Sequence, residues 1–201
     1  NPLDPRNGSM IIFRLDAYGG PLGGNRSYTK YNFDLRNYIT LFKHITLASR
    51  INGGVISGWS NDYDKYETIL FEKFYLGGSN TLRAIRPLRL LNNSNDRFDN
   101  DSDGLIDEED EDSNIPSGKE IMTLTNVEAR FPLVWGLGGV LFVDGGNIYS
   151  ESKNISFDSL VWNYGIALTL KLPVGPIRVD YALDSKNPKI YQIQLGFLYA
   201  F

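Results

Sequence analysis

Cysteine is absent from the 201 residues, which excludes a disulfide framework and any thiolate metal site. Histidine is nearly absent. His44 stands alone beside a strand start with no apparent Ser or Cys partner and reads as a turn residue, so a nucleophile–base pair has no footing. Long apolar runs are missing too, and none approaches the roughly 18 residues of a membrane-spanning helix. Helical periodicity is almost absent, and no Gly-rich phosphate loop leads into a helix. Lys and Arg are spread along alternating segments rather than clustered with aromatics, which leaves nucleic-acid binding without support. The opening NPLDPRNG has neither a Met nor a basic-then-apolar leader, and it reads as a processed, truncated or selected start.

The charge balance is misleading as a single figure. The formal net charge is -4, but the tract 99–112 (DNDSDGLIDEEDED) holds nine of the 24 acidic residues and no Lys or Arg. Without it, 20 basic residues face 15 acidic ones, a net of +5. The acid is a local deposit on a mildly basic body, so the overall pI says little about partners. The same tract accounts for most of the paired carboxylates that an enzyme reading could use.

What the chain does have is period two. Tyr31, Phe33, Leu35, Ile39 and Leu41 alternate with Lys30, Asn32, Asp34, Arg36 and Thr40, and Trp162, Tyr164, Ile166, Leu168 and Leu170 alternate with small and polar residues. The pattern predicts about eight strands, at 9–19, 28–41, 44–56, 119–131, 138–148, 160–172, 175–183 and 190–201. A soluble sandwich or lipocalin-like barrel alternates with its apolar face inward, whereas a membrane barrel turns that face to lipid. Three features favour the membrane barrel. The polar faces mix charges with small residues, as a crowded hydrated lumen does. Aromatics stand at strand ends (Tyr28, Tyr38, Trp135, Tyr149, Trp162, Tyr199), where interfacial girdles belong. Several strands are long for a globular sheet but suit a tilted bilayer crossing.

The last segment, IYQIQLGFLYAF, sharpens this reading. Alternation places Tyr191, Ile193, Leu195, Phe197, Tyr199 and Phe201 on one apolar face, the kind of final strand that outer-membrane assembly machinery reads. Connections at 42–43 and Pro173 to Gly175 are short, while 57–118 is too long for a turn. Short turns at one end and long loops at the other mark bacterial outer-membrane barrels.

Four stretches now carry a resemblance. FEKFYLGGSNTLRAIRP (Phe71 to Pro87) resembles the start of the sixth extracellular loop of the BamA/TamA outer-membrane assembly-factor superfamily, where a GG-S-x-x-x-R-G-aromatic motif folds back into the lumen. VLFVDGGNIY (Val140 to Tyr149) resembles that family's aromatic-x-D-x-G strand, LKLPVGPIRVDYAL (Leu170 to Leu183) its P-x-G-P hairpin, and DPRNGSMIIFRLD its D-P-T-R-G strand start. They occur in family order along nearly the whole chain. The resemblance implies that Arg83 enters the lumen and pairs with Glu128 and Asp144, a loop–lumen lock rather than a catalytic site. Alternation agrees, since it points both carboxylates away from the apolar face, and a guanidinium fork can serve two carboxylates. Gly77 and Gly78 supply the tight backbone path. The chain departs from the motif at Ala84 and Ile85, where the family usually has glycine and an aromatic.

The acidic tract fits a calcium loop. Asp99, Asp101, Asp103, Gly104, Asp107 and Asp110 follow D-x-D-x-D-G-x-x-D-x-x-D, with Leu105 offering its carbonyl and Asp110 closing the shell. An Asp at the last position and the lack of flanking helices resemble dockerin and thrombospondin type-3 loops rather than a sensor EF-hand. Relaxed oxygen coordination suits calcium better than magnesium, in a structural role that stiffens an external insertion.

The expectation is therefore an all-β antiparallel transmembrane barrel segment, residues 1–201, with 57–118 as a long extracellular and luminal loop. The resemblance implies a Gram-negative outer-membrane location and assembly, insertion or translocation without covalent chemistry. It implies a weak seam at the last strand, where Gly196 weakens pairing or permits a kink, and thinning of the adjacent bilayer. It also implies lipid, client outer-membrane proteins, accessory lipoproteins and N-terminal POTRA domains as partners. The family barrel has about sixteen strands, so eight leave three arrangements open. The chain is half of a larger barrel, a self-dimer, or a small closed structural or pore barrel with a calcium-stiffened loop.

Overall fold

The computed structural model describes residues 4–19, 23, 27–42, 44–58, 72–87, 118–150 and 152–201. Among the described residues eight strands run in chain order: β1 (Gly8–Tyr18), β2 (Tyr28–Leu41), β3 (Ile45–Gly58), β4 (Ile121–Pro132), β5 (Leu137–Tyr149), β6 (Val161–Leu172), β7 (Gly175–Asp184) and β8 (Tyr191–Phe197). They form one antiparallel meander in which each strand pairs only with its sequence neighbours. Among the described residues β1 and β8 are not paired with each other, so the sheet is an open part of a barrel. One end carries the short connections 42–44, 133–136 and 173–174, and the other carries 19–27, 59–120 and 150–160.

The two faces are inverted relative to a soluble protein. Ile11, Phe13, Ile51, Leu141, Ile166, Leu168, Ile193 and Leu195 are all more than half exposed. Asp34, Asn126, Glu128, Arg130, Asp144, Asn163, Arg178 and Asp180, one strand position away, are buried. Such an arrangement is unfavourable in water and is the one a bilayer stabilises, because apolar side chains then face lipid and polar ones a shared interior. The sheet curls into a trough along whose floor residues 72–87 run. Arg50 of β3 and Arg178 of β7 both reach Asn80 from opposite walls.

Three apolar clusters fill the trough. Phe74, Leu76 and Leu82 pack with Tyr28, Ile56, Met122, Leu124 and Ile148 at the long-loop end. Ala84 joins Val140, Phe142, Ala167 and Ala182 in the middle, and Tyr38, Ala48, Ala200 and Phe201 close the short-turn end. Gly54 makes the first cluster possible, since a Cβ there would collide with the Phe74 ring.

Two expectations are corrected. β8 ends at Phe197, and Leu198 adopts φ 67° with its N–H donating to Pro176 O at 2.7 Å. Tyr191, Ile193, Leu195 and Phe197 stay on the outward face, but Tyr199 and Phe201 turn into the trough, where Phe201 stacks on Tyr38 with centroids 6.5 Å apart. Of the aromatics expected in girdles, Tyr28, Tyr38 and Tyr149 are buried inside. Trp135, in the turn between β4 and β5, is 96% exposed, and Trp162 packs outside against Phe157. An aromatic at a strand end can fill the interior or face the membrane interface, and its presence there does not distinguish the two.

Candidate functional site

The site grows from the register of β4, β5 and β6. Asn126 stands opposite Asp144, Asp144 opposite Asn163, Glu128 opposite Phe142, and Phe142 opposite Gly165. Each is an inward position, so the pleat alone stacks two carboxylates, two amides and one ring on the trough floor. Gly165 leaves the space the ring needs, because a Cβ there would lie 2.6 Å from Phe142 Cζ and closer still to Tyr181 O.

Arg83 descends onto this floor. Its Nε and Nη2 donate to Asp144 Oδ2 and Oδ1 at 2.8 and 2.7 Å, a bidentate fork, and Nη1 donates to Glu128 Oε1 at 2.6 Å. Arg83 Cζ lies 3.4 Å from the Phe142 ring centroid, so the guanidinium also rests on a π face. All three charged residues are at most 1% exposed. Burial opposes the guanidinium's charge, but Asp144 and Glu128 outweigh it and hold its pKa above the ordinary arginine value. The structure thus brings together Arg83, Glu128 and Asp144, the three residues assigned to the lock.

The network extends beyond them. Arg130 donates from Nε to Glu128 Oε2 at 2.8 Å, and its guanidinium lies 4.0 Å from the Tyr199 ring centroid. Arg178 donates from Nε to Asp180 Oδ2 at 2.9 Å and lies across Gly196, whose missing side chain makes its room. The arginines 83, 130 and 178 are balanced by Glu128, Asp144 and Asp180, all buried. A second cluster on β2 and β3 pairs Asp34 with Arg36 and Arg50, each at 2.8 Å.

The inserted segment is held by its carbonyls as well as by its arginine. Ser79 O accepts from Arg178 Nη2, Asn80 O from Arg50 Nη1 at 3.2 Å, and Thr81 O from Asn126 Nδ2 at 2.8 Å. Arg83 O and Ile85 O both accept from Gln194 Nε2, at 2.7 and 3.1 Å. Buried carbonyls need partners, and here four strands supply them. Gly77 and Gly78 have φ 112° and 104°, a region other residues rarely occupy, and Gly78 N–H closes the tip by donating to Ile85 O at 3.0 Å. Sequence reasoning missed Arg50, Asn126, Arg178 and Gln194. Their only signal was an N–H-bearing side chain at an inward strand position.

Among the described residues the arrangement sets no nucleophile against a base. It is a scaffold that holds a loop inside a wall. The calcium-type residues Asp99, Asp101, Asp103, Leu105, Asp107 and Asp110 lie outside the described residues.

Comparisons with known proteins follow the same lines. The model of the Omp85 superfamily domain matches residues 1–200. Outer membrane protein assembly factor BamA of Nitratidesulfovibrio vulgaris (strain Hildenborough) is 26% identical in an alignment of 184 positions that covers 88% of this chain and 20% of that protein. The crystal structure of BamA from Haemophilus ducreyi lacking POTRA domains 1-3 superposes with a TM-score of 0.70 at 18% identity, over 95% of this chain and 38% of that one. At that identity the likeness is one of fold. The chain spans about a fifth of the curated relative it matches.

Proposed function

Because the chain belongs to the Omp85 superfamily, we propose that it is the C-terminal half of an outer-membrane barrel that assembles or translocates other outer-membrane proteins. The family is one of outer-membrane assembly factors of Gram-negative bacteria rather than of enzymes, and the outward apolar face of this sheet belongs in that bilayer. The observation that carries the reading is the contrast between centre and edge. β4 and β5 are tied by Arg83 to an inserted loop through buried charged bonds, while the short strand β8 carries Gly196 and meets that loop through the neutral amide of Gln194. Unpaired backbone groups facing lipid are costly, so a weakly held seam at β8 beside a braced wall would favour exchange of its partner for an incoming client strand. Clients, upstream POTRA domains and accessory lipoproteins are the partners this reading brings. Bilayer thinning beside the seam belongs to the same proposal.

The acidic tract adds calcium. Asp99, Asp101, Asp103, Leu105, Asp107 and Asp110 have the spacing of a weak extracellular calcium loop, which would order the insertion outside the cell.

The test is a reversible staple. The full-length protein in liposomes receives one Cys in β8 and one in the strand that closes the barrel against it. Oxidation should abolish insertion of a model outer-membrane protein, and reduction should restore it. Undiminished insertion with the staple closed would refute the seam mechanism. A competing arrangement is a two-fold dimer in which β1 of one copy pairs with β8 of the other. The intact mass of the native protein separates the two. A mass near 22.7 kDa would favour the dimer and a much larger one the half-barrel.

A further inference from the structure

The carbonyls of the inserted segment are held by unequal parts of the wall. Ser79, Asn80 and Thr81 are served from β7, β3 and β4, all strands with partners on both sides. Arg83 O and Ile85 O both accept from one neutral side chain, Gln194 of strand β8, and Ile85 O accepts from Gly78 N–H as well. The peptide units around Arg83 are therefore held twice. Its guanidinium is fixed to the central strands by charged, fully buried bonds, and its carbonyl is fixed to the edge by an amide.

These two attachments differ in strength. Charge-assisted bonds at a bidentate buried site are roughly twice as strong as neutral ones, and breaking them strands charges out of water. The two amide bonds of Gln194 connect neutral groups. Ile85 O also accepts from Gly78 N–H at 3.0 Å, so parting β8 from the loop takes the Gln194 donor from Arg83 O and leaves Ile85 O with a partner. The wall is thus hard to open at the lock and easy to open at Gln194.

We propose that Gln194 is a positioning residue, a latch that couples the inserted loop to edge strand β8. When β8 swings outward it releases the carbonyls of Arg83 and Ile85 and leaves the Arg83–Glu128–Asp144 lock shut. The inference deepens the reading of β8 as the seam strand and rests on it for its biological use. As a statement about coupling it stands on the hydrogen bonds alone.

The test uses hydrogen–deuterium exchange on the full-length protein in lipid nanodiscs. Gln194→Met keeps length and bulk but removes both donors. It should speed exchange in β8 and in residues 83–86 by about tenfold, the worth of two neutral hydrogen bonds, and leave the amides of β4 and β5 unchanged. Gln194→Glu adds a reading that packing alone would not move. A protonated carboxyl can donate to one carbonyl and a carboxylate cannot, so β8 protection, corrected for intrinsic exchange, should fall as pH rises. Unchanged exchange in β8 for Gln194→Met would overturn the latch. So would a rise spread equally over β4 and β5, which would mark general loosening, and so would a flat pH profile for Gln194→Glu. Client insertion is scored separately with the β8 staple. Selective exchange in a protein whose insertion ignores the staple refutes the seam and keeps the latch.

Discussion

Arg83→Met keeps the length of the side chain and removes its charge, and the consequences fall unequally on its two partners. Glu128 retains Arg130, whose Nη2 lies 2.7 Å from Oε2. Asp144 retains the amide of Asn126 at 2.8 Å and the backbone N–H of residue 83 at 3.3 Å, both neutral donors, at 0% exposure. Breaking a buried ion pair by removing one member costs about 3–5 kcal/mol, because the survivor stays charged and dry. The thioether recovers part of the contact with the Phe142 ring. Asp144 regains water if the segment lifts from the trough, so the cost appears as easier opening of residues 79–86 rather than as collapse of the wall. At about 1.4 kcal/mol per factor of ten, the open population rises roughly 10²- to 10³-fold or more. The reporter is Ala84→Cys, since residue 84 is 1% exposed and a thiol there reacts with a maleimide only when the segment opens. In the full-length protein in lipid, adding Arg83→Met should accelerate labelling by that factor. Asp144→Asn alone should also accelerate it. The double variant leaves Glu128 with Arg130 and strands no carboxylate, so its cost should fall short of the sum of the singles by about 1–3 kcal/mol. Labelling unchanged by Arg83→Met, or strict additivity in the double variant, would refute the lock.

Gly165→Ala places a methyl group against Tyr181 O and 2.6 Å from Phe142 Cζ, which forces the ring from beneath Arg83. Overpacking of this kind costs about 1–3 kcal/mol and should lower the urea midpoint of the full-length barrel in lipid, and an unchanged midpoint would show that the ring has room to move. Millimolar calcium should protect the segment 88–117 from added protease, with a Kd of about 10⁻⁴–10⁻³ M, and Asp103→Asn should remove the protection. Protection that ignores both chelator and Asp103→Asn would leave the acidic tract without a metal role.

Period two made the wall legible because each strand faces lipid on one side and a polar interior on the other. Ile166, Leu168 and Leu170 advertise a lipid face, and Ala167 and Thr169 between them mark the inner face. The pattern ran on past its true end at β8, since Tyr199 and Phe201 keep the spacing while Leu198 turns the backbone with φ 67°. A single left-handed residue has no periodic signature, least of all when it is not glycine. Glu128 and Asp144 could be placed inward from alternation, but their joint partner came from the loop motif. Arg50, Asn126, Arg178 and Gln194 were beyond reach for a different reason. Each serves a carbonyl of the inserted segment, and which carbonyl depends on a backbone path that no side-chain pattern encodes.

The departures at Ala84 and Ile85 can be weighed against what the lock requires. Ala84 is not among the residues with positive φ, so the backbone there does not demand glycine. Its methyl group fills the cluster with Val140, Phe142, Ala167 and Ala182, while Ile85 packs on the separate cluster around Leu76 and Leu82. The segment therefore passes the ion pairs with one neighbour anchored on each side. An ion pair resists disruption in proportion to how poorly water can reach its separated members. What the guanidinium asks of its neighbours is that they keep this stretch dry, and a methyl and a branched aliphatic chain satisfy that as an aromatic would. The two substitutions change what fills the flanks and leave Arg83 within reach of both carboxylates.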